Sequence, residues 1–437
     1  MSNTVESFDA IIVGAGPAGS CAALTLAKAG KRVVLIERGP FPGSKNMYGG
    51  VVYPRILDAL IDEWWTDMPV QRWVTRRTTM LLTETQAVSV DFRTSAWGHA
   101  PYNGATTYRP DFDNWLAKKA ELAGAVVVCS TTVTGLIRNS LGAVCGVTTD
   151  RPNGDLHADV VVACDGVNSF LAKHAGLYTH TESSNFTLGA KETLAIPKHV
   201  IDERFGVRGL EGVDIEILGG TGGISGGGFL YTNYDTVGIG VVLKLSQLAT
   251  QSQRPEQIIA NLKAHPAIAP LIEGATLKEY SAHLIPEAGI SMMPTFVADG
   301  LIIAGDAAAM CLAAGIWLEG VNFAMASGMY AAETIIEALA VGDTSVKGLA
   351  GYSKRLENTF VLKDHRKLRR APQLVLSDRI QHMYPQLMAN VAERVFRVDN
   401  PLPKPGLRRI LADERKRLGV RRRDLLKDAW IGFRSFG

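Results

Sequence analysis

An α/β fold, with an antiparallel β-sheet domain inserted into it and a helical C-terminal region, is what this sequence predicts. Three observations carry the expectation. The chain opens as an apolar strand, a glycine turn, a helix and a second apolar strand. Two later apolar runs, Val160 to Ala163 and Leu301 to Ala304, each lead into a paired Asp and Gly. Between them lie strand-like runs separated by a stretch with seven glycines in ten residues, 219–228. The composition agrees. With 46% hydrophobic and 20% charged residues in 437, the chain has the makings of a large buried core and is neither disordered nor fibrous. Glycine, at 44 residues, is roughly a tenth of the chain against a usual ~7%, as tight turns around a nucleotide require. A net charge of +3 gives no footprint for nucleic acid, and no nucleic-acid partner is expected.

Taken in order, residues 8–13 form an apolar β run and 14–19 read Gly-Ala-Gly-Pro-Ala-Gly. Residues 20–29 are rich in Ala and Leu and predict a helix that stops at Gly30. Residues 32–36 predict a strand ending at Glu37. This is one βαβ unit of about 30 residues with parallel strands. A Gly- and Pro-rich loop, 39–54, follows. Then come a helix over 111–122 and strands at 125–130, 142–149 and 160–163. The middle of the chain predicts strands at 215–218, 229–231 and 236–243. The strand at 301–304 is expected to run into an Ala-rich helix. The resulting division is a discontinuous nucleotide-binding domain (1–75, 98–180 and 286–345), a middle β-sheet domain carrying a substrate pocket or interface (76–97 and 181–285), and a helical region with a basic tail (346–437).

The first motif is Gly14-x-Gly16-x-x-Gly19, with Glu37 eighteen residues beyond. In such a turn the first glycine makes the bend, the second lets the backbone approach a pyrophosphate, and the third lets helix and sheet pack closely. Pro17 and Ala18 open the helix, whose free N–H groups and dipole favour phosphate. A carboxylate at Glu37 accepts ribose hydroxyls in charge-assisted bonds and favours an unphosphorylated adenosine ribose, as in FAD or NAD. The unit is therefore Rossmann-like. Its place at residue 14, with no second glycine fingerprint for a nicotinamide cofactor, points to FAD. The second motif, Cys164-Asp165-Gly166-Val167-Asn168-Ser169, puts an Asp-Gly turn at a strand's carboxyl end, where α/β sheets bind ligands. In the third, Gly305-Asp306-Ala307-Ala308-Ala309, Asp306 suits a ribityl hydroxyl. The alanines leave room for a flavin against a helix N-terminus, whose dipole would stabilise charge on the reduced ring.

Five scattered cysteines (Cys21, Cys129, Cys145, Cys164 and Cys311), none in a C-x-x-C pair, speak against a disulfide framework, a zinc site or a cysteine-ligated cluster. They suit a reduced, cytoplasmic compartment. Residues 1–6 lack a basic region, so no signal peptide is expected. The most apolar long stretch, 301–318, is interrupted by Asp306, and its uncharged part, 307–318, is twelve residues against about 20 for a spanning helix, so no transmembrane segment is expected. The histidines show no metal spacing and no metal site is expected; His283 either lines the flavin site or is structural. No G-x-S-x-G elbow supports a serine hydrolase. From Pro401 onward the chain holds eleven Lys/Arg and four Asp/Glu. Drawn as a helix, Leu425, Leu426, Ala429, Trp430 and Phe433 share a face. That face either packs on its own domain or meets anionic lipid or an acidic partner.

The three motifs, in this order, resemble the FAD-dependent group typified by p-hydroxybenzoate hydroxylase and geranylgeranyl reductase. Arg109, in Tyr108-Arg109-Pro110-x-Phe112-Asp113-x-Trp115-Leu116, matches the arginine that group places near FAD. Three further segments resemble the FixC family, related to electron-transfer flavoprotein:ubiquinone oxidoreductase: Gly43-Ser44-Lys45-Asn46-Met47-Tyr48-Gly49-Gly50, Gly226-Gly227-Gly228-Phe229-Leu230-Tyr231-Thr232-Asn233, and Glu279-Tyr280-Ser281-Ala282-His283-x-x-Pro286-Glu287-Ala288-Gly289. The resemblance adds Arg38, Lys45, Gly50, Arg109, Val133 and Gly315 to the cofactor-binding set of Gly14, Gly16, Pro17, Ala18, Gly19, Glu37, Asp165, Gly166, Gly305 and Asp306. It implies a flavoprotein dehydrogenase that takes electrons from an electron-transfer flavoprotein of the FixA–FixB type. They pass toward a ferredoxin-like protein of the FixX type and quinone, with peripheral contact at the inner face of a membrane. Only Cys311 follows residue 165, so any four-cysteine cluster belongs to another polypeptide.

Two departures matter. The arginine that aromatic hydroxylases carry after the Asp-Gly turn is absent, because Leu171 is followed by Ala172. After Gly315 the family's arginine and aspartate correspond to Glu319 and Asn322, a charge reversal that bears on flavin potential and partner choice. The ring itself takes and gives electrons, so no catalytic side chain is expected. Two alternatives stand beside this reading. One is an NAD(P)H-dependent reductase or monooxygenase acting on a hydrophobic isoprenoid or aromatic. The other is a structural subunit whose flavin is not redox-active.

Overall fold

The computed structural model describes residues 7–46, 50–178, 182–315 and 318–436. Met1 to Glu6, Met47, Tyr48, Gly49 and Trp317, all used in the sequence reading, lie outside them. Ser7–Val13, Val33–Ile36, Leu156–Ala163 and Leu301–Ile303 are apolar strands, almost wholly buried. Helices cover parallel sheets on both faces, so such strands read as continuous hydrophobic runs rather than alternating ones. Their order is Leu301–Ile303, Leu156–Ala163, Ser7–Val13, Val33–Ile36 and Val126–Val128, all parallel. Val297–Ala298 closes one edge antiparallel, and a hairpin of Val133–Arg138 and Val144–Thr149 extends the sheet from Leu156–Ala163.

The register decides the function of this sheet. Val13 lies opposite both Ile36 and Ala163, and Ala163 lies opposite Ile303. The strands therefore finish level, and the residues that follow them, Gly14, Glu37, Cys164 and Ala304, emerge along one edge. Helix Pro17–Lys28 begins with proline in its first turn and lies almost entirely buried. The long helix Val321–Val341 packs against it so tightly that a Cβ on Gly328 would sit 1.9 Å from the Ala18 carbonyl oxygen.

The Ala-rich stretch after residue 304 corrects the sequence reading. It forms one 3₁₀ turn, Gly305–Ala308, ended by Ala309 in the left-handed conformation (φ 55°). A short hairpin, Leu312–Ala313 with Leu318–Glu319, comes next, and the long helix starts only at Val321. Alanine propensity favoured a helix there, and the tertiary setting overrode it.

The inserted sheet has nine strands, in the order Thr276–Pro286, Phe186–Ala195, Thr236–Lys244, Gly226–Thr232, Glu211–Leu218, Arg72–Leu82, Ala105–Thr107 and Gly50–Val52, with Ala87–Arg93 paired to Arg72–Leu82. It is antiparallel except where Glu211–Leu218 runs parallel to Arg72–Leu82. Gly226, Gly227 and Gly228 belong to a strand rather than to the glycine loop. Gly50–Val52 and Ala105–Thr107 pair with this sheet although they fall within the ranges expected for the nucleotide domain. Alternation along the strands gives it two faces. Val213, Ile215, Ile217, Leu230, Ile239 and Val241 turn into a second hydrophobic core under helices Lys198–Phe205 and Pro255–Ala264. Asp214, Glu216 and Tyr231 alternate onto the opposite face.

The C-terminal region is helical from Gly351–Asn358 through Tyr384–Phe396, Leu407–Arg417 and Arg422–Phe436. Among the described residues no helix is long and apolar enough to cross a membrane. The last helix is held by its polar side. Asp428, buried, takes an ion pair from Arg379 (2.5 Å) and a hydrogen bond from Tyr384 Oη (2.5 Å). Its apolar side faces out, with Leu426, Trp430 and Phe433 60–72% exposed.

Candidate functional site

The level strand ends build one cavity of about 440 Å³. Gly14 (φ 101°) turns the chain sharply, and a Cβ there would lie 2.3 Å from the Cys164 carbonyl oxygen. Gly19 packs against the Gly14 carbonyl, where a Cβ would be 1.9 Å away. Gly16 differs from both: nothing lies within 4 Å of its Cβ position, so the backbone is open to a close-approaching ligand at the start of an uncapped helix. Glu37, at the tip of Val33–Ile36, accepts hydrogen bonds from the Ala15 N–H (3.1 Å) and the Gly39 N–H (2.7 Å). These bonds fix the carboxylate at the cavity wall.

On the neighbouring strand, Asp165 accepts from the Leu171 N–H through Oδ2 (3.0 Å), while Oδ1 is buried without a protein partner. Burial raises its pKa, and backbone donors work against that. An orphaned acceptor on a cavity wall is costly unless a ligand donor meets it. Asp306 lines the cavity with two strands between its own and that of Glu37. Burial raises its pKa, opposed by His283 and then Arg109. Arg109, in the first turn of helix Arg109–Leu122, gives Asp113 a two-pronged salt bridge, Nε to Oδ1 and Nη2 to Oδ2, each 2.9 Å. Asn46 Nδ2 donates to the same carboxylate (2.5 Å). Burial works against the guanidinium charge, and Asp113 overcomes it, holding the Arg109 pKa above its ordinary value.

Thirteen of the sixteen residues singled out from sequence line this cavity: Gly14, Gly16, Pro17, Ala18, Glu37, Arg38, Lys45, Arg109, Val133, Asp165, Gly166, Gly305 and Asp306. Gly19, Gly50 and Gly315 do not. Gly19 packs helix on strand, Gly50 sits in the inserted sheet, and a Cβ on Gly315 would press on Val375 at 2.9 Å. The sequence reading passed over Asp113 and Asn46, which anchor Arg109, and Tyr53 and Cys311, which line the wall. The spacing of Arg109 and Asp113, four apart at a helix start, was a usable signal. His283, which the sequence left either structural or at the flavin site, lines the cavity as well. Burial lowers its pKa and Asp306 raises it.

The far end of the cavity is bounded by Tyr53, Ile285, Leu318, Glu319, Gly320 and Asn322. Gly320 caps helix Val321–Val341 without a side-chain bond. It is this helix, 21 residues long, that brings N–H groups and a positive partial charge to the site. Asn322 Nδ2 donates to Glu319, and Asn322 Oδ1 is buried without a partner.

A glycine turn opening onto a helix N-terminus, a fixed carboxylate at the next strand's tip, and a second helix N-terminus at the far end are the architecture of a dinucleotide-dependent α/β oxidoreductase. Residues 7–203 match the FAD binding domain family and residues 371–437 the ETF-QO/FixC family C-terminal domain. The chain is 38% identical over 430 residues, 98% of each chain, to the probable electron transfer flavoprotein-quinone oxidoreductase YdiS of Escherichia coli (strain K12). It is 39% identical to Protein FixC of the same strain, again over 98% of each chain, and 39% identical to Protein FixC of Bradyrhizobium diazoefficiens, over 90% of this chain and 91% of that one. In fold it resembles a geranylgeranyl bacteriochlorophyll reductase-like protein from Thermoplasma acidophilum (TM-score 0.71, 20% identity, covering 94% of this chain and 98% of that one). The flavin-dependent brominase Bmp2 is also similar, with a TM-score of 0.63 at 17% identity, covering 95% of this chain and 98% of that one. The chain belongs to the FixC/ETF-QO family of flavoprotein oxidoreductases, and its cofactor is FAD.

Proposed function

We propose that the cavity holds FAD through the residues the level strand ends supply, and that the protein carries electrons from an electron-transfer flavoprotein toward quinone. The Gly14–Gly19 turn and the first helix hold the diphosphate, Glu37 the adenosine ribose, and Asp306 and Arg109 the ribityl and phosphate region. When bound, the isoalloxazine ring supplies two-electron acceptance and release. The chain's own part is to bind and orient it, exclude water and set the electrostatics. The donor is of the FixA–FixB type. A separate ferredoxin-like protein of the FixX type carries the cluster that this chain's scattered cysteines do not provide.

One observation carries the electron-transfer half: the likeness to YdiS and FixC runs the length of the chain rather than stopping at the FAD domain. The missing arginine after Asp165-Gly166 favours it over hydroxylation with NADPH. The test is turnover. Holoprotein mixed with reduced electron-transfer flavoprotein, the ferredoxin-like partner and a ubiquinone analogue should form quinol. Quinone left untouched, with NADPH consumed when an isoprenoid or aromatic is added, would reverse the assignment.

Peripheral membrane contact on the cytoplasmic face completes the proposal. The outward apolar face of helix Arg422–Phe436 lies among Arg421, Arg422, Arg423, Lys427 and Arg434, which suits an anionic bilayer. Full-length protein should co-sediment with vesicles containing anionic phospholipid. Trp430→Glu with Phe433→Glu should lose that binding without a change in Tm, and equal binding by both proteins would remove the helix from the membrane.

A further inference from the structure

Five strands of the inserted sheet contribute to one row of side chains that the cofactor cradle does not use. Lys191 lies opposite Gly240, and Gly238, on the same strand as Gly240, lies opposite Tyr231. Tyr231 lies opposite Asp214, and Asp214 opposite Arg77. The two glycines make the row continuous. A Cβ on Gly238 would lie 2.5 Å from the Tyr231 ring, and one on Gly240 would lie 2.6 Å from Phe229. Lys191 Nζ donates to Tyr231 Oη (3.1 Å). Arg77 Nε stands 3.6 Å from Asp214 Oδ2, and its Nη2 donates to Glu216, two residues along on the same face. The Arg77 guanidinium also lies over the Tyr53 ring, 5.9 Å from its centre. Lys191, Tyr231 and Asp214 are 1%, 4% and 6% exposed. Tyr53 lines the far end of the cavity with Glu319, so the row opens there.

Burying this many ionisable groups is expensive, and packed apolar residues would serve the fold as well. Burial, tempered by Arg77, pushes Asp214 up to about 6. Burial and the Asp214 charge push Glu216 up to about 7, again against Arg77. Burial brings Lys191 down to about 7, against the pull of Glu279 and with the push of Arg109. Tyr53 and Tyr231 are both raised, chiefly by burial. The groups facing the row are Glu319 from the short hairpin, Tyr108 and Arg109 from the helix start, and Glu279 from Thr276–Pro286. Burial thus brings three sites of one row toward the same neutral range.

We propose that Lys191, Tyr231, Asp214, Arg77 and Glu216 form a proton-holding network, with Tyr53 as its outlet, that delivers a proton to the acceptor at the far end of the cofactor cavity. The acceptor part rests on the quinone reading above. The reduced cofactor carries two electrons and one proton, and a quinone needs two of each to become quinol. The network supplies the second proton. A carboxyl of the Asp214–Glu216 pair gives it up, an O–H bond forms on the quinone oxygen, and the carboxylate is reprotonated from water.

The experiment has two arms. The first is the infrared difference spectrum of oxidised holoprotein between about pH 5.5 and about pH 8, which spans the titration of the pair. The wild type should show a protonated-carboxyl band that shifts in D₂O, and Asp214→Asn with Glu216→Gln should lack it while still binding one FAD. If the double variant fails to bind FAD, Glu216→Gln alone gives the reading. No such band in the wild type, or a band unchanged in the variants, overturns the network. The second arm compares acceptors. Tyr53→Phe and Glu216→Gln should slow quinol formation on the order of tenfold or more. Glu216→Gln should leave reduction of ferricenium, which takes an electron and no proton, at the wild-type rate. Equal slowing of both acceptors by this variant, or of neither, refutes proton delivery. If wild-type protein reduces no quinone, the acceptor assignment fails, and the infrared arm alone decides the network.

Discussion

The two sheets of this molecule handle ligand chemistry in opposite ways. The first is apolar where its strands run through the core and uses only their level ends, where Gly14, Glu37, Asp165 and Asp306 leave the sheet. The second uses its face, where ionisable side chains from different strands meet in one row. An edge site is built by short stretches of contiguous sequence. A face site exists only once strands far apart in the chain have paired. The contrast teaches that a binding motif and a reactive cluster differ in how local their causes are.

The contrast is sharpest between two glycines of the first sheet's helices. Gly16→Leu places a side chain in open space, so apoprotein stability should hold while FAD affinity falls at least about a hundredfold, ~2.7 kcal/mol. Gly328→Leu drives a side chain into the Ala18 carbonyl and should cost about 3 kcal/mol of stability or prevent folding. Fluorescence titration with FAD and denaturant melts separate the two, and a Gly16 variant that binds FAD normally would break the edge assignment.

Glu37→Gln should come next. It removes charge-assisted acceptance and should weaken FAD by ~1.5–3 kcal/mol, read by the same titration.

The face of the second sheet should instead announce itself through pH. Asp214 and Glu216 hold protons in the folded protein up to about 6 and about 7, above the ordinary carboxylate range. Between pH 4 and 7 the folded state therefore binds more protons than the unfolded chain, and stability falls as pH rises. Lys191, brought down to about 7, has the reverse consequence, so its contribution rises from pH 7 toward 10. Denaturation across this range should show a minimum near neutrality. Asp214→Asn with Glu216→Gln should flatten the acid-side slope, by an amount on the order of 2 kcal/mol. An unchanged slope would mean the pair ionises freely. Smallest of all, removing the exposed Lys118–Glu121 pair by Lys118→Ala should shift stability by no more than about 0.5 kcal/mol.

What the sequence made legible follows the same division. The turn at Gly14 and the acid at Glu37 announce themselves by spacing within a few dozen residues, the two strand-end aspartates by the apolar run before each and the glycine beside it, and the register then brings all of them together. Arg77, Asp214, Glu216 and Tyr53 carry no such spacing, since their meeting depends on a parallel pairing of Arg72–Leu82 with Glu211–Leu218. The sequence left His283 either at the flavin site or structural, because the face a strand residue takes depends on its partners, and the pairing turns it into the cavity. In the last helix the apolar period was plain in Leu426, Trp430 and Phe433. Its direction was set by Arg379 and Tyr384, which bind Asp428 and turn the apolar side outward. Alanines 307–309 misled in the other direction, since their helix propensity yielded to a single 3₁₀ turn.

Electron entry tests the account most directly. Oxidised holoprotein mixed anaerobically in a stopped-flow cell with a reduced electron-transfer flavoprotein should lose its FAD absorbance as the donor is reoxidised, one cofactor per chain. An FAD band that stays intact with that donor, yet bleaches rapidly with NADPH, would contradict it.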